Sequence, residues 1–430
     1  MKDFATSADP AVQAQLDRLA KLSLPQGRFG LETIRALLAR LGDPQDRLPP
    51  VFHVAGTNGK GSTCAYLRAM LEADGLSVHA ATKPHLVRYN ERIRIAGELI
   101  SDAELAERLR DVLDAGEDLG PSFFEVTTAA TFMAFAESPA DACVIEVGLG
   151  GRFDATNVLP KPAACGIASL GMDHEAFLLA PEEGTPDEPI ARIAFEKAGI
   201  VRPGRPLVTQ HYPESAELEI ERAAMAAGAP LHMRGRDWSA HLGETIEYED
   251  RHGRLALPLP ALSGAHQADN AALAAAMLRY QDFVPVSDRA LIEGIRAARW
   301  PARLQRLGPG PLTALVPGRE VWLDGGHNPD AGAVIARHFD GPLHLVIGML
   351  ASKNPHAIVG PLEGRLASLS VVPVRGSESH PAEAFGPAAR ARDNVDEALR
   401  GIPADDLPIL IAGSLYLAGE VLRANEEIPT

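Results

Sequence analysis

Three cysteines, Cys64, Cys143 and Cys165, are all that the 430 residues contain, and none stands in a Cys-x-x-Cys pair. That excludes a disulfide scaffold and a cysteine-based zinc site, and it suits a reducing, cytoplasmic setting. Positive charge is also in short supply. Lysine and arginine number 41 against 57 aspartates and glutamates, a formal net charge of −16. Repulsion argues against general binding to nucleic acid or an anionic membrane, so any polyanionic ligand must be caught by a dedicated local site. Long apolar runs are missing as well: the nearest, LPILIAGSLYLAGEVL, is broken by glycines and Glu420 and falls short of a membrane span. The opening segment MKDFATSADPAVQAQLDRLAKL lacks the apolar core of a secretory signal. A soluble protein is expected.

What remains is an ordinary globular mixture, 46% hydrophobic and 23% charged, long enough for two or three domains. Short apolar runs alternate with amphipathic stretches: VFHVAG (51–56), SVHAAT (77–82), ACVIEVGLG (142–150), AACGIASL (163–170) and RPLVTQ (205–210) read as strands. Such alternation predicts βαβ units and a mostly parallel sheet covered on both faces. Residues 233–260 differ, with ETIEYED, RHGRL and LPLPAL reading as short strands or a hairpin, followed by a helix over Gln267–Tyr280. Prolines and glycines cluster in RWPARLQRLGPGPL (299–312) and read as a linker. Beyond it EVWLDGG, LHLVIGML, LSVVPV and PILIAGS restart the alternation. The expected division is a domain over 1–298 and a smaller α/β domain over 299–430.

Four segments carry chemistry. Val54-Ala55-Gly56-Thr57-Asn58-Gly59-Lys60-Gly61-Ser62 lies between a strand and a helix. Glycines there let backbone N–H groups cradle phosphate oxygens, Lys60 can reach β/γ-phosphates, and Ser62 can offer its hydroxyl to Mg²⁺. Gly61 separates the lysine from the serine, unlike the usual P-loop, and a plain Gly-rich turn is the bland alternative. Second, Glu146 ends an apolar strand and leads into GLGGRFDATN; it reads as a metal-facing carboxylate or as a salt-bridged strand end. Third come Met172-Asp173-His174 and, downstream, Lys197 in FEKAGI. His174 could ligate a cation or be an ordinary loop residue, while Lys197 is either a snorkelling surface lysine or a buried amine of lowered pKa. Fourth, Asp324 and His327 in LDGGHNPDA sit where a strand gives way to a helix, although Asn-Pro alone also marks a helix start.

Together these segments, with FGLE, PHLVRYNERIRI and AGSL, resemble the folylpolyglutamate synthase and dihydrofolate synthase family of the Mur ligase superfamily, over nearly the whole chain. The resemblance implies an α/β protein with an N-terminal P-loop ATPase domain and a smaller C-terminal Rossmann-like domain. It implies an ATP-dependent ligase in which a carboxylate takes the γ-phosphate and L-glutamate then displaces phosphate from the acyl phosphate. The substrates implied are dihydropteroate or tetrahydrofolate and L-glutamate, the cofactors ATP and two Mg²⁺. Thr57, Asn58, Gly59, Lys60, Gly61, Ser62, Asn270, Arg303, Asp324 and His327 fall at nucleotide positions. Ser62, Glu146, His174 and Lys197 fall at metal positions, Lys197 matching a lysine that is carbamylated. Lys60, Glu146, His174 and Lys197 carry the chemistry, and Gly30, Leu31, Lys83, Phe124, Glu125, Phe153, Asp154 and Ala155 fall on the pteroate side. A monomer is expected.

The chain departs from the family pattern in three places. Thr82-Lys83-Pro84 replaces Ser-Pro, and a protonated lysine cannot coordinate a cation; either Thr82 or water fills the position, or the Lys83 ammonium contacts phosphate. PEEGTPDEP reads as an acidic loop insertion between His174 and Lys197, and Gly326 replaces an alanine. Two other readings compete: a Mur-type ligase acting on a nucleotide-linked peptide, for which too little chain precedes the loop, and a catalytically silent nucleotide-binding regulator, which the intact lysines argue against.

Overall fold

The computed structural model describes residues 6–22 and 30–430. Phe29 of the FGLE segment lies outside the described residues. The chain divides into two compact units, the first of Met1–Lys83, Arg88–Ala261 and Gln267–Ala298, the second of Pro84–Val87, Leu262–His266 and Arg299–Thr430.

In the first unit the strands are β1 (Val51–Ala55), β2 (Val78–Ala81), β3 (Ile93–Ile95), β4 (Glu98–Leu99), β5 (Ala142–Glu146), β6 (Ala164–Ile167), β7 (Leu207–Thr209) and β8 (Leu231–Met233). They form one sheet in the order β4-β3-β2-β5-β1-β6-β7-β8. All neighbours from β2 to β8 run parallel, and β3 and β4 add antiparallel. The middle strands β1, β5 and β6 are buried throughout, which is why they read as unbroken apolar runs rather than alternating ones. The register aligns Val54 with Glu146 and Ala55 with Ile167, so the segments leaving β1, β5 and β6 emerge side by side, where open α/β sheets gather their ligands. Helix Lys60–Ala73 follows β1, and helix Asp288–Ala297 lies so close to it that a Cβ on Gly294 would meet the Met70 backbone.

The hairpin region forms a small antiparallel sheet of β9 (Ser239–Leu242), β10 (Ile246–Asp250) and β11 (Gly253–Leu257). Of LPLPAL only Leu257 belongs to a strand, because Pro258 and Pro260 have no N–H to continue the ladder. The helix expected from Gln267 runs His266–Arg279.

The second unit holds β12 (Gln305–Arg306), β13 (Val321–Leu323), β14 (Leu343–Ile347), β15 (Leu366–Val371), β16 (Ala389–Ala391) and β17 (Ile409–Ala412) in the order β12-β13-β17-β14-β15-β16, parallel except for β12. Residues 299–312 are not a free linker. Ala302, Leu304, Leu307 and Leu312 are buried in this unit's core, and Gln305–Arg306 pairs with β13. Proline and glycine break regular structure there, but the leucines between them still leave water. Among the described residues no helix is long and apolar enough to cross a membrane.

Candidate active site

The loop after β1 is built on two backbone conformations that favour glycine. Gly59, at φ 83°, opens helix Lys60–Ala73, and a Cβ there would collide with the Asn270 side chain. Gly56, at φ 147°, lies against Ala168 with no room for a Cβ. The loop is then tied to the segment after β6. The Thr57 N–H donates to Ser169 O at 2.7 Å, the Thr57 hydroxyl to Gly171 O at 2.9 Å, and the Ser169 hydroxyl to Asn58 O at 3.1 Å. Gly61 and Ser62 are buried in the first helical turn.

Two lysines from distant parts of the chain meet on this loop. Lys60 Nζ donates to Gly56 O at 2.9 Å and to Thr57 O at 3.2 Å, and Lys197 Nζ donates to the same Gly56 carbonyl at 3.0 Å. Lys197 is 3% exposed, so it is a buried amine and not a snorkelling surface lysine. Burial, with the nearby Lys60 charge adding to it, pulls its pKa from 10.5 down to about 7. A shape constraint holds it there: Gly151 and Gly199 let the turn after β5 press on the end of helix Pro189–Ala198, where a Cβ on Gly151 would lie 2.8 Å from Glu196 O and 2.9 Å from Lys197 O.

A cleft of about 260 Å³ is lined by Gly56, Thr57, Lys60, the turn 147–150, Asp173, His174, Leu178 and Lys197. Three of the four segments singled out in the sequence therefore share one space. His174 sits at φ 55°, its Nε2 3.8 Å from Asp173 Oδ2. Asp173 was not assigned a role from sequence; its adjacency to His174 was the available signal. Glu146 stands just behind this wall at the end of β5, 4% exposed, its Oε2 accepting the Lys83 backbone N–H at 3.0 Å.

The Lys83 ammonium points elsewhere, resting 3.6 Å from the centroid of the Phe124 ring as a cation–π contact. It borders a cavity of about 310 Å³ that Arg92, Phe124, Thr127 and Thr131 also line. Burial lowers its pKa to about 8, against the pull of Asp154 and Glu146. Several residues that the sequence resemblance assigns to the pteroate have evident structural duties. Asp154 accepts from the Leu149 N–H at 2.8 Å, the Thr156 N–H at 3.0 Å and the Thr156 hydroxyl at 2.5 Å, fixing the turn after β5. Glu125 closes a capping box with Ser122 at the start of helix Phe123–Glu137. Phe153 lies under the Arg152 guanidinium, Ala155 is buried in the core, and Gly30 and Leu31 lead into helix Glu32–Arg40.

In the second unit Asp324 is buried. Its oxygens accept the Leu304 N–H at 2.8 Å and the Gly326 N–H at 2.6 Å, while burial raises its pKa against the Arg303 charge. His327 Nδ1 donates to Gly325 O at 2.9 Å, and Asn328 caps helix Pro329–His338.

A phosphate-cradling loop at the head of a parallel sheet, with two lysines on one of its carbonyls, defines a P-loop nucleotide enzyme. No family model matches the chain. Relatives do. It is 35% identical to the folylpolyglutamate synthase of Lacticaseibacillus casei, over 90% of its own length and 92% of that protein. It is 33% identical to the dihydrofolate synthase/folylpolyglutamate synthase of Escherichia coli, over 92% and 91%. A crystal structure of a bifunctional folylpolyglutamate synthase/dihydrofolate synthase with Mn, AMPPNP and L-glutamate bound superposes with a TM-score of 0.82 at 31% identity, covering 99% of both chains. Escherichia coli FolC in complex with DHPP and ADP gives 0.82 at 31% identity, covering 97% of both. The chain belongs to the folylpolyglutamate synthase/dihydrofolate synthase family, a family of ATP-dependent ligases with the Mur ligase-like fold.

Proposed function

We propose that this ligase joins L-glutamate to 7,8-dihydropteroate and adds further glutamates to tetrahydrofolates, each time through an acyl phosphate. The observation that carries the reading is the meeting of Lys60 and Lys197 on the Gly56 carbonyl, at the mouth of a loop shaped for phosphate. Two anions, a carboxylate and a triphosphate, must be brought together, and the barrier is mostly charge and alignment. Lys60 and the loop N–H groups bind the phosphates, with Asn270 held against Gly59 on the nucleotide side. The substrate carboxylate attacks the γ-phosphorus, ADP leaves, and the glutamate amine then attacks the acyl carbon, releasing phosphate.

The donor chemistry fits Mg²⁺. Ser62 and Glu146 offer oxygen, which hard cations take. Mg²⁺ usually keeps several waters and is held by one or two protein oxygens together with substrate phosphates. Ser62, Glu146 and His174 would hold two such ions, which neutralise developing charge. Lys197, carbamylated on its neutral amine, would add an anionic ligand. Lys83 presents a fixed cation beside Phe124, on the side assigned to the pteroate with Gly30, Leu31, Phe153, Asp154 and Ala155. Residues 1–298, apart from Pro84–Val87 and Leu262–His266, would supply the ATP and pteroate sites, and Arg303, Asp324 and His327 of residues 299–430 would serve the nucleotide and glutamate. The enzyme works as a cytoplasmic monomer. The test is incubation with MgATP and glutamate plus either dihydropteroate or tetrahydrofolate, with products identified by mass. One added glutamyl residue in each reaction supports both activities; no mass change with either pterin acid refutes the reading.

A further inference from the structure

The acidic segment Pro181–Pro189, an insertion by its sequence, is not simply solvated. The Glu182 side chain is 15% exposed and is gripped by two guanidiniums. Arg152 holds it through both nitrogens, at 2.6 and 3.0 Å, and Arg192 reaches it at 3.2 Å. The same two arginines grip Glu196, at 2.7 and 3.1 Å. Phe195 lies under both guanidiniums, 4.9 and 5.7 Å from its ring centroid. Arg192 Nε also donates to Leu178 O at 3.0 Å.

The four charged side chains stand outside the cleft but are tied to residues that line it. Arg152 precedes Phe153 and Asp154 in the turn after β5, Leu178 lines the cleft along with His174, and Glu196 precedes Lys197. Two positive and two negative side chains balance. Removing Glu182 would take one carboxylate from two largely buried guanidiniums that it and Glu196 now share, and losing one partner of a buried ion pair is costly.

We infer that Glu182 is a positioning residue: it straps the inserted segment to Arg152 and Arg192, and so fixes the His174 wall against the Lys197 helix. The inference rests on the reading that His174 and Lys197 face a divalent ion bound with the nucleotide. Residues that orient metal ligands from outside the coordination sphere cost about 10–100-fold in metal affinity when removed. The test is Mn²⁺ binding in the presence of AMPPNP, followed by the electron paramagnetic resonance signal of free Mn²⁺, for the wild type, Glu182→Ala and Glu182→Gln, with a thermal melt of each. The expected result is a Kd for Mn²⁺ raised about tenfold in Glu182→Ala and less in Glu182→Gln, which keeps an acceptor for one guanidinium. A Mn²⁺ Kd equal to wild type in a folded variant, whatever the melt shows, overturns the inference and leaves Glu182 a brace. If the alanine variant does not fold, the glutamine variant decides by the same criterion. A wild-type protein that binds no Mn²⁺ with AMPPNP takes down the metal reading and this inference together, whereas wild-type binding with unaltered variants takes down this inference alone.

Discussion

Replacing Lys197 by arginine separates the two things its amine does, donating a hydrogen bond to Gly56 O and being free to lose its proton. Burial and the Lys60 charge bring the pKa from 10.5 to about 7. At pH 7 roughly half the amines are then neutral, against about one in three thousand for an unperturbed lysine, a gain of more than a thousandfold in the form that adds CO₂. The neutral share falls to about a tenth at pH 6 and rises to about nine tenths at pH 8. The sign for stability follows. Between pH 7 and 10.5 the unfolded chain binds more protons at this site than the folded one, so the cost of burying the amine is full below pH 7 and is relieved as pH rises. With ¹³C-labelled bicarbonate, Mg²⁺ and AMPPNP, ¹³C NMR should show a carbamate resonance at pH 8, weaker at pH 6 and absent in Lys197→Arg. A wild-type spectrum without that resonance at pH 8, or an identical one from the arginine variant, would refute the assignment.

Lys60→Ala should cut glutamate-dependent ADP release by more than about a hundredfold, on the scale of losing one preorganised electrostatic group, while circular dichroism stays native. Near-normal turnover would remove Lys60 from phosphate binding. Lys83→Ser removes the cation from the Phe124 ring and should raise the KM for the pterin acid about tenfold, on the scale of one desolvated cation–π contact, with the Mg²⁺ dependence unchanged; an unaltered KM would make Lys83 a bystander. Gly151→Ala places a Cβ against the backbone carbonyls of Glu196 and Lys197, so about 1–3 kcal/mol of stability should be lost, with turnover falling further than the melt predicts. Wild-type activity in that variant would show that Lys197 does not depend on this close approach.

The buried strands β1, β5 and β6 are legible because full burial leaves continuous apolar runs. By contrast β3, β4, β8, β12 and β16 have two or three residues each and lie towards sheet margins, too short for any periodicity to show. Residues 299–312 were misread for a related reason. Proline and glycine report local conformation, whereas the burial of Leu304 and Leu307 is decided by residues far along the chain. In the site, residue types point to phosphate chemistry, but spacing alone gives no hint that Lys60 and Lys197 share the Gly56 carbonyl, 141 residues from Lys197. Nor does it tell a ligand-facing carboxylate from one spent on backbone N–H groups, as Asp154, Glu125 and Asp324 are. Proline and charge mark PEEGTPDEP as a loop insertion, but not that Glu182 is docked, which depends on two arginines from separate elements lying opposite it.

The path of one oxygen atom tests the central claim most directly. If the pteroate carboxylate attacks the γ-phosphorus, dihydropteroate labelled with ¹⁸O in its carboxyl group must pass one labelled oxygen to the phosphate released with each amide formed. Mass spectrometry of the phosphate should find one ¹⁸O per turnover when both carboxyl oxygens are labelled. Unlabelled phosphate released alongside glutamylated product would contradict activation of the carboxylate by phosphoryl transfer.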